Sequence, residues 1–311
     1  MKAFVSTLLI GTAIVFQAQA QDEVFKVLAS RGNITTNNKT AISAGKKLYK
    51  DEAVEISSNG FVGLVHKSGK TVELKTPGTY QVNDLAAKLG GTGSSVSERY
   101  ANYVIQEVSK DKESNVKKNH QQYMAVTGAV TRATGGMTDE LHVDALVPAQ
   151  TDVLSNGHVT FHWHKVPHVK TYVVHISNLG EETIFQKEVS DTTATLDFSK
   201  INFGKSKMCL WSVTAKTKHD KEHKSEKHGL QLIPAAKAAE ITKEVASLTA
   251  DSDPKSSLGK IMMAAYYEDH NMYVDALHEY EEALKIEHNK DYQDMYHNFL
   301  YRAGLAEHPA K

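Results

Sequence analysis

The side chains best suited to chemistry in this chain are its histidines, 16 among 311 residues. His158, Thr160, His162 and His164 alternate with Val159, Phe161 and Trp163. A strand here turns the two sets to opposite faces, with the imidazoles together. His175 lies on a second alternating run, and His219, His223 and His228 flank the charged stretch from Asp220 to Lys227. Imidazoles at i and i+2 on one strand face can hold zinc, copper or nickel. His162, His164 and His175 are therefore the candidate metal-ligating set. The competing reading is a solvated histidine-rich face. No cysteine ligand is at hand, no acidic residue has tight ligand spacing, and the 219–228 run is full of mutually repelling lysines. The sequence favours the solvated face, and no cofactor is expected.

Other reactive residue types give no catalytic set. Cys209 falls on the inward parity of its strand and reads as core rather than nucleophile. The run Gly90-Gly91-Thr92-Gly93-Ser94-Ser95 lacks the preceding strand, loop lysine and partner acid of a phosphate cradle, and reads as a linker or helix start. Glu181-Glu182 and Glu281-Glu282 are adjacent pairs expected to point to solvent rather than across a cleft. There is no Gly-x-Ser-x-Gly elbow, no His-Glu-x-x-His helix and no Walker loop. No enzyme is expected.

The start of the chain sets the compartment. Met1-Lys2, the apolar run Ala3 to Phe16 and Ala18-Gln19-Ala20 have the charge, length and small residues of a secretory signal cleaved after Ala20. A periplasmic or secreted protein is expected, with no membrane span. A single cysteine rules out an intramolecular disulfide, which fits a bacterial envelope. The formal charge of −1 predicts no general affinity for nucleic acid. A hydrophobic content of 41% is enough for ordinary cores.

From about 22 to 85, short apolar stretches alternate with turn residues. Val24 to Leu28, Ala53 to Ile56, Phe61 to Val65 and Thr71 to Leu74 read as strands between glycine- or asparagine-bearing turns. The segments Gly32-Asn33-Ile34, Leu48-Tyr49-Lys50-Asp51-Glu52-Ala53-Val54, Asn59-Gly60-Phe61-Val62-Gly63-Leu64 and Ser68-Gly69-Lys70-Thr71-Val72-Glu73-Leu74 resemble the FecR-type β domain. Lys50 and Ser68 stand where that family usually has glycine and aspartate. The resemblance covers about 60 residues and implies a periplasmic β module.

A helical connector is expected over 86–148, with an exposed amphipathic helix from Ser95 to Tyr123 and a possible strand at Met124 to Thr131. Over 149–233, the runs Val159-Phe161-Trp163, Tyr172-Val174-Ile176, Ala194-Leu196-Phe198 and Cys209-Trp211-Val213-Ala215, closed by Leu230 and Leu232, predict a β-sandwich. The residues Trp163, Val166-Pro167, Tyr172-Val173-Val174 and Leu210 to Ala215 are similar to a bacterial fibronectin type III domain. Such a domain implies a spacer or binding platform.

The remainder, 234–311, is helical in pattern. Ala238, Ile241, Val245 and Leu248 share a face, Asp253-Pro254 is expected to start the next helix, and a last helix is expected over 291–304. Ala264, Tyr267, Asn271, Tyr273, Ala276, Tyr280 and Ala283-Leu284 alternate small and aromatic residues and resemble a tetratricopeptide repeat. A lone repeat must be capped by its neighbours, docked on the sandwich, or completed by a partner. Tyr266, Tyr267, Tyr273 and Tyr280 are the candidate partner-binding residues, with internal helix packing as the competing reading.

The expected organisation is a signal peptide (1–20), a FecR-like β domain (21–85), a helical connector (86–148), a fibronectin type III-like β-sandwich (149–233) and a tetratricopeptide-like helical domain (234–311). The expected fold class is multidomain, mainly β with α, and the expected role is a non-enzymatic envelope adaptor that engages a protein partner through the helical tail. Polysaccharide or cell-wall binding and metal binding at the histidine face are the alternatives. Both tryptophans fall on inward parity, which speaks against a glycan platform.

Overall fold

The computed structural model describes residues 22–109, 142–148, 150–216 and 222–305. The expected signal peptide, the expected strand at 124–131 and the final residues lie outside them. The fold is mixed β and α.

Seven antiparallel strands open the described chain: β1 (Glu23–Arg31), β2 (Ile34–Thr36), β3 (Lys47–Tyr49), β4 (Ala53–Ile56), β5 (Phe61–His66), β6 (Thr71–Leu74) and β7 (Gly78–Gln81). They form two sheets, ordered β3-β1-β5-β6 and β2-β4-β7. Asn59, at φ 62°, takes the left-handed turn conformation before β5, as the Asn-Gly signal predicts. The two sheets enclose Phe25, Val27, Ile34, Leu48, Val54, Val62 and Leu64, and a helix absent from the sequence reading, α1 (Val82–Leu89), adds Val82 and Leu85.

The opposite face of the first sheet is also buried. Leu28 and Ala29 of β1 and Phe61 and Val65 of β5 face a helical layer. That layer comprises α2 (Ser95–Ser109), α3 (Ala235–Asp251), α4 (Ser257–Asp269), α5 (Tyr273–Ile286) and α6 (Lys290–Arg302). Its core holds Tyr100 and Val104 of α2, Ile241 and Leu248 of α3, Ile261 and Met262 of α4, Leu277 and Tyr280 of α5, and Tyr292 and Phe299 of α6. The expectation that the helix from Ser95 is exposed is therefore corrected. One face of α2 is buried because the last helices fold back over it.

Helices α4 and α5 form an antiparallel hairpin whose turn places Asn271 at φ 58°, a conformation asparagine tolerates better than most residues. Ala264, Ala265, Ala276 and Ala283 are all buried and let the two helices approach closely. The cap of α4 differs from expectation. Ser256 rather than Asp253 is the N-cap, and its hydroxyl accepts from the Gly259 amide at 2.9 Å.

Between the two halves of this assembly the chain builds two facing sheets. They contain β8 (Gln150–Leu154), β9 (His158–His162), β10 (Thr171–Ser177), β11 (Thr183–Val189), β12 (Thr193–Asp197), β13 (Met208–Lys216), β14 (Glu222–Lys224) and β15 (His228–Ile233). The larger sheet runs β11-β10-β13-β15-β8 with β14 on β13, and the smaller pairs β12 with β9. Strand β8 lies parallel to β15, and the rest are antiparallel. Val159, Phe161, Trp163, Tyr172, Val174, Ile176, Cys209, Trp211 and Val213 fill the core, all on the parity read from the sequence. Phe161 stacks on Trp211 with ring centroids 4.8 Å apart. Strand β11 escapes sequence reading because it is an edge strand with most residues exposed, so no inward alternation marks it. Among the described residues no helix is long and apolar enough to cross a membrane.

Candidate functional site

The histidine face does not form as one surface. His162 ends β9 with 4% of its surface exposed, although the strand's parity turns it away from the sandwich core. Helix α5 covers that face. His162 Nδ1 lies 2.8 Å from Glu281 Oε2, and the same carboxylate accepts from the Tyr296 hydroxyl of α6 at 3.3 Å. An ionised carboxylate only accepts, so the imidazole donates from Nδ1 rather than Nε2. That Nε2 is buried without a hydrogen-bond partner. Burial pushes the Glu281 carboxyl up, but the bond from His162 outweighs it and holds the group below its ordinary value. The expectation that Glu281 points to solvent is thus corrected. Its neighbour Glu282 takes the exposed side and pairs with Lys285 at 2.7 Å.

One helical turn before Glu281, His278 brings its ring to 5.6 Å from the ring of His162. Its Nδ1 is also buried without a partner. Burial, followed by the nearby His162, holds its pKa below the ordinary histidine value. His278 was missed in the sequence because its helix carries several other polar residues of equal claim. The i, i+3 spacing to Glu281 is a local signal, but nothing local says that a strand covers it.

The other two candidate ligands lie elsewhere. His164 is exposed beyond the end of β9, with its amide donating to the Asp144 carbonyl at 2.8 Å. His175 sits on β10 in the other sheet, opposite Gln186 and Ser212, with its pKa lowered by burial and by Lys224. Among the described residues no group of three or more histidine, cysteine, aspartate or glutamate side chains is placed to hold a metal ion. The thiol of Cys209 is buried in the sandwich and pushed up to about 12 by desolvation.

The candidate tyrosines divide in the same way. Tyr266 and Tyr280 are fully buried, so a peptide groove lined by them is not what the fold contains. Tyr266 donates to Glu244 at 2.8 Å and meets Tyr100 edge-on, and Tyr280 donates to Glu268 at 3.1 Å. Tyr267 and Tyr273 are partly buried against the same core. Aromatic rings at helical spacing here serve internal packing, because α2, α3 and α6 occupy the faces a partner would have used.

The strongest electrostatic feature is a buried clamp at the end of α6. Arg302 Nε and Nη2 donate to the two oxygens of Glu268 at 2.5 and 3.0 Å, and Nη1 donates to Glu107 at 3.1 Å. Burial alone would lower the guanidinium pKa, but the bidentate bond to Glu268 raises it. The clamp ties α2, α4 and α6 together.

The glycine-rich run also has its partners within the chain. The Asp251 carboxylate accepts from the Ser94 amide at 2.7 Å and the Ser97 hydroxyl at 2.8 Å, occupying the N-terminus of α2 where an anion would sit. Lys70 donates to the Leu89 and Gly90 carbonyls at the end of α1.

Two joints hold the sandwich on the helices. At the first, the Asn271 carbonyl accepts from the Asp152 amide at 2.9 Å and the Thr151 hydroxyl at 3.0 Å, while the Tyr273 amide donates to Thr151 Oγ1 at 2.9 Å. Val274 beside it is buried in the sandwich core. The second joint is the His162, Glu281 and His278 cluster. This arrangement can bind, orient and exchange protons.

No family model matches the chain, and no curated protein matches it. Among solved structures, the pectate lyase Pel3 from Pectobacterium carotovorum is similar over 30% of this chain, with 18% identity and a TM-score of 0.21. An Fn3-like protein from Clostridium thermocellum is similar over 30% of this chain and 88% of its own, with 20% identity and a TM-score of 0.21. The chain spans 27% of the pectate lyase.

Proposed function

We propose that the chain is an exported, non-enzymatic scaffold of the bacterial envelope that works by protein–protein contact. In this reading a FecR-like β unit and a fibronectin type III-like sandwich are held in fixed relation by a tetratricopeptide-like tail. The observation that carries it is the continuity of packing. Helices from the end of the chain share one core with β1 and β5 from its beginning, and the same helical hairpin grips the sandwich. Burial of this kind stabilises a fixed geometry between two β units, which is what a scaffold needs and what a flexible string of modules lacks.

With Tyr266 and Tyr280 inside the helical core, partner contact moves from the tail to the sandwich edge. Leu179, at the tip between β10 and β11, is 59% exposed, and Ile184 on the edge strand is 37% exposed. An edge strand with accessible apolar side chains is a recognised mode of protein contact.

The test is cross-linking of mature residues 21–311 in native envelope extract, with the linked peptides identified by mass spectrometry. The reading expects a protein partner linked to the 177–189 hairpin and lost on combining Leu179→Ser with Ile184→Ser. Retention of polysaccharide alone, or a partner linked elsewhere and indifferent to the double substitution, sinks it.

A further inference from the structure

Where the sandwich meets the helical layer, the contact between β9 and α5 includes the buried His162, bound to Glu281, and the partly buried His278 with its ring 5.6 Å from that of His162. We propose that this joint is a proton-operated latch: neutral His278 lets the sandwich seat on α5, and protonation of His278 releases it.

The charges around the pair set the direction. From β9 comes His162, bound to Glu281 of α5. Helix α5 also presents Glu282 and Lys285, α4 presents Lys260 in its ion pair with Glu279 at 2.9 Å, and α6 presents Tyr296. Asp191, in the turn before β12, acts on Lys285. His162 and Glu281 are bound across the joint at 2.8 Å. A proton on His278 is opposed by burial, His162, Lys260 and Lys285, with Glu282 the offsetting group. The closed joint resists that proton, whereas an open joint returns His278 to water and its ordinary affinity.

The sign follows from linkage. A histidine whose pKa is lower when the joint is closed adds no penalty well above about pH 6.5 and a growing one below it, up to about tenfold in the opening equilibrium per pH unit. The other contacts predict how the movement is confined. The Arg302 clamp holds α2, α4 and α6 to one another. The Thr151, Asn271 and Tyr273 bonds contain no titrating group and can act as the pivot.

The test uses the full mature chain with Glu188→Cys on β11 and Gln293→Cys on α6, both at exposed positions, each spin-labelled while Cys209 stays buried. Pulsed dipolar spectroscopy should give one short distance at pH 8. A second, longer population should rise toward pH 5 by up to tenfold per unit below about 6.5. In His278→Gln this second population should be absent. The latch is overturned if the distance is unchanged from pH 8 to 5, if His278→Gln keeps the same pH response, or if the longer population appears together with loss of helical circular dichroism. Should His278→Gln not fold, the ring-proton titration of His278 in the unsubstituted chain decides. Titration in step with the distance change supports the latch, and a joint that opens without it refutes the latch.

Discussion

Gly63 of β5 lies against Tyr292 of α6: a Cβ at Gly63 would stand 3.2 Å from the tyrosine hydroxyl and 3.3 Å from a methyl of Leu258. Residues 229 positions apart in sequence thus meet so closely that even a Cβ would press on its neighbours. The sheet that opens the described chain and the helices that close it are one packed body at this point.

Gly63→Val is expected to force α4 and α6 away from β5. Overpacking of this kind costs about 1–3 kcal/mol, read as a lower urea midpoint. An unchanged midpoint would show that the helices can give way, and the tight fit would lose its significance.

Truncation after Pro234 removes α3 to α6 and uncovers Leu28, Phe61, Val65, Tyr100 and Val104. The sequence alone suggests that the β modules survive this cut, but their second buried face says otherwise. The fragment 21–234 is expected to bind a hydrophobic dye and to lose dispersed methyl signals from its first β unit. A well-dispersed spectrum identical in that region to the full chain would refute the shared core.

Arg302→Met strips Glu268 of both guanidinium bonds and Glu107 of one. Removing one partner from a buried charge cluster costs about 3–5 kcal/mol. Adding Glu268→Gln and Glu107→Gln should restore part of that loss, because no carboxylate then remains buried beside the methionine. Chemical denaturation of the single and triple variants measures both effects.

Asp275, in the first turn of α5, has a buried Oδ2 without a hydrogen-bond partner, and burial, aided by Glu279, pushes its carboxyl up to about 8. A raised carboxyl pKa means the folded chain holds a proton that the unfolded chain releases, so stability falls as pH rises from about 4 through about 8. Asp275→Asn removes that dependence. Its stability relative to the parent should grow between pH 5.5 and 8.5, by an amount on the order of 1 kcal/mol or more. A difference that stays flat with pH would place the raised carboxyl elsewhere.

Strand parity was legible because it is local. Val159, Phe161 and Trp163 point inward, as do Cys209, Trp211 and Val213. Asn59 and Asn271 sit at positive φ where turn chemistry places them. Edge strand β11 and the short helix α1 were not legible, since neither shows a clear apolar period over enough residues. The unbroken apolar run Phe61 to Val65 was the one local sign that β5 is covered on both faces, with Phe61 and Val65 toward the helices and Val62 and Leu64 toward the β core.

The candidate site shows the limit of such reading. From sequence, His162 belongs to a polar strand face, and Tyr266 and Tyr280 belong to helix faces that either pack or bind. The identity of the covering element decides each case: α5 turns the polar face of β9 into a buried joint, and α2, α3 and α6 turn the tyrosines into core. Periodicity determined which side of each strand or helix is apolar, because that follows from backbone geometry within a few residues. Only the tertiary structure decided what lies against each side, because contacts such as His162 with Glu281 and Tyr100 with Tyr266 join segments more than a hundred residues apart, and none of them leaves a period in the chain.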